Sequence, residues 1–304
     1  MKQKVAGSVT LAISLLFATG CSSQPTAVEQ INSVESIDVI ASQTPEFSRV
    51  VALANGSAEI ISSMGYLDLL IGRDIASDSA PLQSVEVVTS GHQIVAEKIL
   101  SLKPDLLIID ASSGPASALE VLRSAGIRIV KISEAWTLAE IDRKVGEIAT
   151  AIGAVDDGKA LIAALQESTS TVTQIAAGKK IAFLYLRGGS AVYLIGGKGS
   201  GTDSLIAAIG GIDAGAQKFE NPFTPMSAEA IAALNPDVFL VMSKGLESVG
   251  GVDGLIQLPG IAQTQAGKNR AVVAVDDSLL LSFGPRSYSL LEALSQSIER
   301  VLAR

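Results

Sequence analysis

The sequence predicts an α/β protein of two lobes, each with a central parallel sheet flanked by helices, joined by one long linking helix. Three observations lead there. First, one unit is used twice. Ala96-Glu97-Lys-Ile-Leu-Ser-Leu-Lys-Pro104-Asp105, followed by Leu-Leu-Ile-Ile, returns 132 residues later as Ala228-Glu229-Ala-Ile-Ala-Ala-Leu-Asn-Pro236-Asp237, followed by Val-Phe-Leu-Val. Six of the fourteen pairs are identical and the last four are apolar in both copies. Each copy reads as a short helix, a Pro-Asp turn and a buried strand. Second, short apolar runs alternate with helical patterns through both halves, which implies a largely parallel sheet with right-handed crossovers. Third, Asp156 to Ala177 reads as one helix, with Leu161, Leu165, Ser168, Val172 and Ile175 on one face and Gly178 as its cap. At 1.5 Å per residue it would span roughly 33 Å, enough to cross a small lobe. Its Ser-Thr-Ser-Thr run at 168–171 has weak helix propensity, so packing must hold it.

The chain has 304 residues, room for two domains with their own cores. With 48% hydrophobic and 4% aromatic residues and 28 glycines, it suits helix-covered sheets better than an all-β fold. A net charge of −8 argues against a nucleic-acid partner.

The first twenty residues form a signal peptide. Lys2 and Lys4 precede an apolar run, Val5 to Ala18, that is too short to span a membrane. The only cysteine, Cys21, follows at once and has no disulfide partner within the chain. Ala18-Thr19-Gly20-Cys21 resembles a bacterial lipobox, which implies a lipidated Cys21 as the mature N-terminus and an extracytoplasmic, membrane-anchored protein. The polar stretch 21–46 then reads as a flexible tether. An N-terminal lobe over 47–155, the linking helix over 156–178 and a C-terminal lobe over 179–304 complete the division.

The N-terminal lobe opens on a buried strand, Arg49 to Ala54, and the turn Asn55-Gly56-Ser57 into a helix from Ala58 to Met64. A strand from Leu69 to Gly72, the first copy of the repeat, a helix near Ala116–Ala125 and a strand from Arg128 to Ile132 follow. The C-terminal lobe opens on a strand, Lys180 to Leu186. A second strand from Ala191 to Ile195, a helix over Asp203–Ile209 and the second copy of the repeat come next. After the loop Phe283-Gly-Pro-Arg286-Ser, a final helix from Tyr288 buries Leu290, Leu291, Leu294, Ile298, Val301 and Leu302.

Few residues could carry chemistry. His92 is the only histidine. It sits just before the helix of the first repeat copy, where the helix N-terminus disfavours protonation and so favours the neutral, metal-binding imidazole. Tyr185 and Arg187 lie two apart on a strand and share a face, with Leu184 and Leu186 towards the core. An adjacent guanidinium favours the phenolate, a hard ligand for ferric iron. Met242 ends a repeated strand, either in the core or lining a cleft. Arg286 begins the last helix, either as a structural group or with its guanidinium fork offered to a carboxylate. Glu97 and Glu229 occupy matched first-turn positions, where each also complements its helix dipole.

Enzyme signatures are missing. The turn Gly196-Gly-Lys-Gly-Ser-Gly201 lacks the last glycine of a dinucleotide fingerprint, and Gly197-Lys198 is followed by glycine, so it is no P-loop. There is no Gly-x-Ser-x-Gly elbow and no His-Glu-x-x-His, and one histidine cannot build a multi-histidine hydrolase site. No enzymatic activity is expected.

Two lobes joined by a long helix resemble the helix-linked substrate-binding proteins of bacterial ABC importers, over nearly everything from Arg49 on. Ser-Gly-His92, Tyr185-Leu-Arg187, the glycine-rich turn ending at Asp203, Val241 to Gly254 and Phe283-Gly-Pro-Arg286 further resemble the haem-binding lipoproteins among them, closest to the actinobacterial type with a histidine and a tyrosine. That resemblance implies iron protoporphyrin IX (haem b) as transported ligand, with His92 and Tyr185 as axial ligands and Arg187 hydrogen-bonded to the phenolate. It offers Arg286 to a propionate and Met242 as a further contact. It implies as partners a haem donor and a permease dimer with its ATPase, onto which Glu97 and Glu229 dock, one per lobe, as a pseudo-two-fold suits a two-fold partner. Rival readings are a ferric-siderophore or corrinoid carrier on the same fold, and a haem-dependent enzyme or sensor, which would need an open coordination position.

Overall fold

The computed structural model describes residues 28–91, 93–169, 172 and 176–304. The signal segment, Cys21 and His92 therefore lie outside the described residues. The N-terminal lobe comprises β2 (Val50–Ala52), α1 (Ser57–Ser63), β3 (Leu70–Arg73), the short pair β4 (Thr89–Ser90) and β5 (Gln93–Ile94), α2 (Ala96–Leu102), β6 (Leu106–Ile109), α3 (Ala116–Ser124) and β7 (Arg128–Lys131). Its parallel sheet runs β3-β2-β6-β7. Helices α4 (Leu138–Ile152) and α5 (Val155–Thr169) lead to the C-terminal lobe. That lobe holds β8 (Lys180–Arg187), β9 (Val192–Gly196), α6 (Thr202–Ala208), β10 (Ile212–Asp213), β11 (Phe223–Pro225), α7 (Ala228–Leu234), β12 (Val238–Met242), α8 (Ser243–Ser248), α9 (Gly251–Gln257), α10 (Gln265–Asn269), β13 (Val272–Val275), α11 (Asp277–Leu281) and α12 (Arg286–Leu302). Among the described residues no helix is long and apolar enough to cross a membrane.

The repeated unit has one physical job in both lobes. Lys103 and Asn235 end α2 and α7 in the left-handed conformation, and the proline that follows each cannot continue a helix. The aspartate then pins the lobe's first strand. Asp105 accepts hydrogen bonds from the backbone of Ser48 (2.9 Å) and Arg49 (3.0 Å), and Asp237 accepts one from Lys180 (2.9 Å). The strands that follow are buried at every position, as expected for the middle of a helix-covered parallel sheet.

Two expectations are corrected. The predicted helix over 156–178 ends at Thr169, and residues 176–178 form a turn. At its end Ser168 and Thr169 bond back to the carbonyls of Leu165 and Gln166, the competition that makes hydroxyl residues poor helix formers. The crossing is shared instead with α4, absent from the sequence reading, which packs on α1 and α5, while α5 packs on α12. The predicted tether is also built into the fold from Val28 onward. A first strand, β1 (Val28–Ile31), pairs in parallel with β13 at the edge of the C-terminal sheet, ordered β1-β13-β12-β8-β9-β11. Farther on, Val39 donates to Ser63 O, Glu46 to Ile152 O, and Ser42 and Gln43 to the Asp157 carboxylate. The polar composition of this stretch serves to satisfy backbone against the ends of α1, α4 and α5.

The lobes share one apolar core and are tied by polar groups. Asn55 Nδ2 donates to Leu281 O (2.8 Å), Ser278 Oγ to Asp78 (2.5 Å) and Tyr288 Oη to Asp142 (2.5 Å). Lys144, 1% exposed, donates to Asn55 O of one lobe (2.9 Å) and Ser282 O of the other (3.4 Å).

Candidate functional site

Above these ties lies a cavity of about 620 Å³, within the roughly 300–1,000 Å³ of small-molecule sites. One lobe contributes the ends of its parallel strands and the loops after them, including Asn55, Asp74, Gly91, Asp110 and Trp136. These lie at the carboxyl ends of the strands, where open α/β sheets place ligands. The other lobe contributes Tyr185, Arg187, Phe223, Met242, Lys244 and Asp277.

Strand alternation on β8 works as expected: Leu184 and Leu186 are fully buried, while Tyr185 and Arg187 are half-buried and face the cavity together. The Arg187 guanidinium lies over the Tyr185 ring, 4.6 Å from its centroid. Arg187 donates to Leu186 O (2.9 Å) and reaches Asp277 (3.4 Å), because its own carboxylate partner sits at the start of α11. The ring of Phe223 meets Tyr185 edge-on at 5.8 Å. One aromatic group is thus held by a cation on its face and a ring at its edge.

Asp277 also accepts from Lys244 N (3.0 Å). Burial raises its carboxyl above the ordinary value, against the opposing pull of that N–H and of the Arg187 and Lys244 charges. Asp74 is raised by burial too, against hydrogen bonds from Ser77 and Ala76. Asp110 accepts from Asn55 N (2.8 Å) and from Ser112, fixing the turn that carries Asn55.

Met242 is 1% exposed, paired in the sheet with Val275, and also lines the cavity wall. Gly91 lines the cavity, and Ser90 pairs with Gln93 on either side of His92. Arg286 does not reach the cavity. Its side chain is buried against Glu59 (2.9 Å), and its backbone N–H donates to the other Glu59 oxygen (2.8 Å), a pair that crosses between the lobes. Glu59, on the buried face of α1, thus engages the Arg286 Nε, and Arg286 is not part of the cavity lining. Glu97 and Glu229 are exposed in the first turns of α2 and α7, outside the cavity lining. Among the described residues no cluster of three or more His, Cys, Asp or Glu could hold a metal ion.

The sequence reading missed Asn55, Asp110, Trp136, Phe223, Lys244 and Asp277. Asp110 had a signal, since it directly follows the buried strand of the first repeat. Trp136 had one too, as the lone tryptophan beside a Thr137-x-x-Glu140 helix start. Phe223 gave none, because its place depends on the antiparallel pairing of β11 with β9.

The sequence profile of a family described as periplasmic binding protein matches residues 50–279. The chain belongs to that family. Among solved structures, the heme-binding protein HmuT superposes with a TM-score of 0.81 at 34% identity, covering 90% of this chain and 97% of that one. Among curated proteins, an uncharacterised ABC transporter substrate-binding lipoprotein of Bacillus subtilis, YvrC, is 27% identical over 278 residues, 88% of this chain and 84% of the relative. A vitamin B12-binding protein of Vibrio cholerae is 26% identical over 247 residues, 80% of this chain and 86% of the relative. This family and these neighbours are binding proteins, and the two-lobe α/β architecture is theirs.

Proposed function

We propose that this protein captures haem in the cleft between its lobes and delivers it to an ABC permease. The observation that carries the reading is Tyr185, turned into the cavity with the Arg187 guanidinium over its ring. HmuT supports it: its solved variants replace a histidine, a tyrosine, and an arginine two positions beyond that tyrosine, the spacing of Tyr185 and Arg187 here. In this reading His92 and Tyr185 are the axial ligands, one from each lobe. Arg187 stabilises the phenolate by its charge, and Met242 and Phe223 supply apolar wall. Two protein ligands close both iron faces, which suits carriage rather than turnover. Cys21 is the lipid anchor that keeps the protein outside the cytoplasm at the membrane, and Cys21→Ala should leave it unanchored in fractionation. Glu97 and Glu229 meet the permease.

A corrinoid is the second reading. The cavity wall carries Asp74, Asp78, Asp110, Glu134 and Asp277 against Arg187 and Lys244, and carboxylates suit a ligand bearing amide donors. One experiment separates the two: absorption spectra of the purified protein with haemin and, separately, with cobalamin. A haemin Soret band that shifts on binding, turns high-spin and tyrosine-bound in His92→Ala, and weakens more in Tyr185→Ala is expected. Cobalamin binding without a haemin shift would overturn the haem reading.

A further inference from the structure

The two lobes are built on one plan, and one of them has an empty place. Strand β7 follows β6 as β13 follows β12, parallel and adjacent in each case. In the C-terminal lobe β13 is not the edge: β1 adds to it in parallel and packs on α12. There Glu29 of β1 is held by Arg300 (2.7 Å) and Arg304. In the N-terminal lobe the corresponding side of β7 has no strand among the described residues. An open groove of about 1,120 Å³ runs there, between β7 and helices α4 and α5.

We propose that this groove is a docking slot for an extended acidic segment of a protein partner, which adds to β7 in parallel as β1 adds to β13. Four features carry the assignment. Ile132 N donates to Ile109 O, so with alternating strand geometry the backbone groups of Ile129 and Lys131 point away from β6, to the open side of β7. The floor includes Val130, Ile132 and Ile162, as alternate apolar side chains of an added strand require. The lining carries Arg128, Lys131, Arg143 and Lys159 together with Glu134 and Glu147. Arg143 is paired with Glu140 and Glu147, and Lys159 with Asp156, which leaves Arg128 and Lys131, both on β7 itself, to match acidic side chains of an added strand, as Arg300 and Arg304 match Glu29. Last, Gly146 lies inside α4 facing the groove, and a Cβ there would meet nothing within 4 Å. Glycine inside a helix is unfavourable, and no neighbour within the protein demands it here. It leaves room for a second backbone to come close.

The slot is tested with a short fluorescein-labelled peptide of alternating valine and glutamate, its binding followed by anisotropy. The wild type should bind it, and a valine–lysine version should not bind. Gly146→Leu starts a side chain into the groove at a position where the Cβ meets no neighbour and replaces an unfavourable helical glycine, so it should not lower the thermal midpoint and should lose at least about tenfold in affinity. Lys131→Glu should also weaken the peptide. Hydrogen exchange should slow at Ile129 and Lys131 when the peptide is bound. No binding to the wild type, equal binding of the lysine peptide, an unchanged affinity in both variants, or protection confined to another strand would each overturn the proposal.

Discussion

Lys144 offers the sharpest test of how the lobes are held. It is an amine buried at the seam, bonded to a carbonyl from each side. Burial pulls its pKa from an ordinary 10.5 down to about 8, against the attraction of Asp110, Glu59, Glu134 and Glu140. Below pH 8 the folded and unfolded chains both carry the proton, and the folded chain bears the full cost of a desolvated charge. Between about 8 and 10.5 the unfolded chain holds more protons than the folded one, so stability attributable to this group rises with pH across that window. A shift of this size corresponds to about 3 kcal/mol. Lys144→Met keeps the length of the side chain and removes the titration. Urea unfolding of both proteins at about pH 7 and again above pH 10 gives the assay. Other groups titrating in the window cancel in the difference between the two proteins. The wild type should gain on the variant by about 3 kcal/mol from the lower pH to the higher. A difference that stays flat, or falls, would show that Lys144 is not a charged, desolvated group in the fold.

Three further outcomes follow from the same geometry. Arg286→Met should cost about 3–5 kcal/mol by stranding the buried Glu59 charge, whereas Glu59→Gln with Arg286→Met should recover much of it; urea curves showing the double variant no better than the single would deny the coupling. Asp213 has its pKa raised to about 6 by burial, against the Ala216 N–H and with the Asp203 charge adding to the rise, and its Oδ2 is buried without a partner. The cost of its charge is full above pH 6 and relieved as pH falls towards 3.8, so Asp213→Asn should be more stable than wild type by about 2–3 kcal/mol near neutrality and nearly equal to it in acid; thermal melts giving no pH-dependent gap would refute this. Charge reversal at Glu97 or Glu229 should leave haemin binding intact in titration and impair haem-dependent growth of cells, and loss of binding would place that glutamate in the ligand site instead.

What could be read from the chain was whatever its local pattern states twice or states strongly. The repeat gave two strands, two helices and the aspartates that pin each lobe, because Pro-Asp after a helix constrains the backbone within a few residues. Tyr185 and Arg187 shared a face because side chains alternate along any strand. The helix α4 also has a local signature, in Thr137-x-x-Glu140 and the stripe Ile141, Val145, Ile148, Ile152. In the structure Thr137 caps Glu140 N (3.3 Å) while Glu140 reaches back to Trp136 N (2.9 Å). Other features had no local signature. Nothing near Arg286 in sequence announces Glu59, which lies 227 residues earlier. Nothing in Val28–Ile31 announces that its partner is Val272–Val275. Both depend on which segments the two lobes bring together.

The placement of Arg286 also bears on how the cleft works. A guanidinium committed to Glu59, an amine committed to Asn55 and Ser282, and Asn55 itself bonded to Leu281 form a polar seam directly beneath the cavity. Glu59, Arg286 and Lys144 are buried and Asn55 is half-buried, so parting the lobes would leave them unpaired unless water entered, at about 1–3 kcal/mol per neutral group and more per charge. Breaking several at once exceeds what a single ligand contact returns. The cavity is therefore held preformed, with Tyr185 oriented before anything enters by Arg187 on its face and Phe223 at its edge. Preorganisation of this kind lowers the ordering cost of binding.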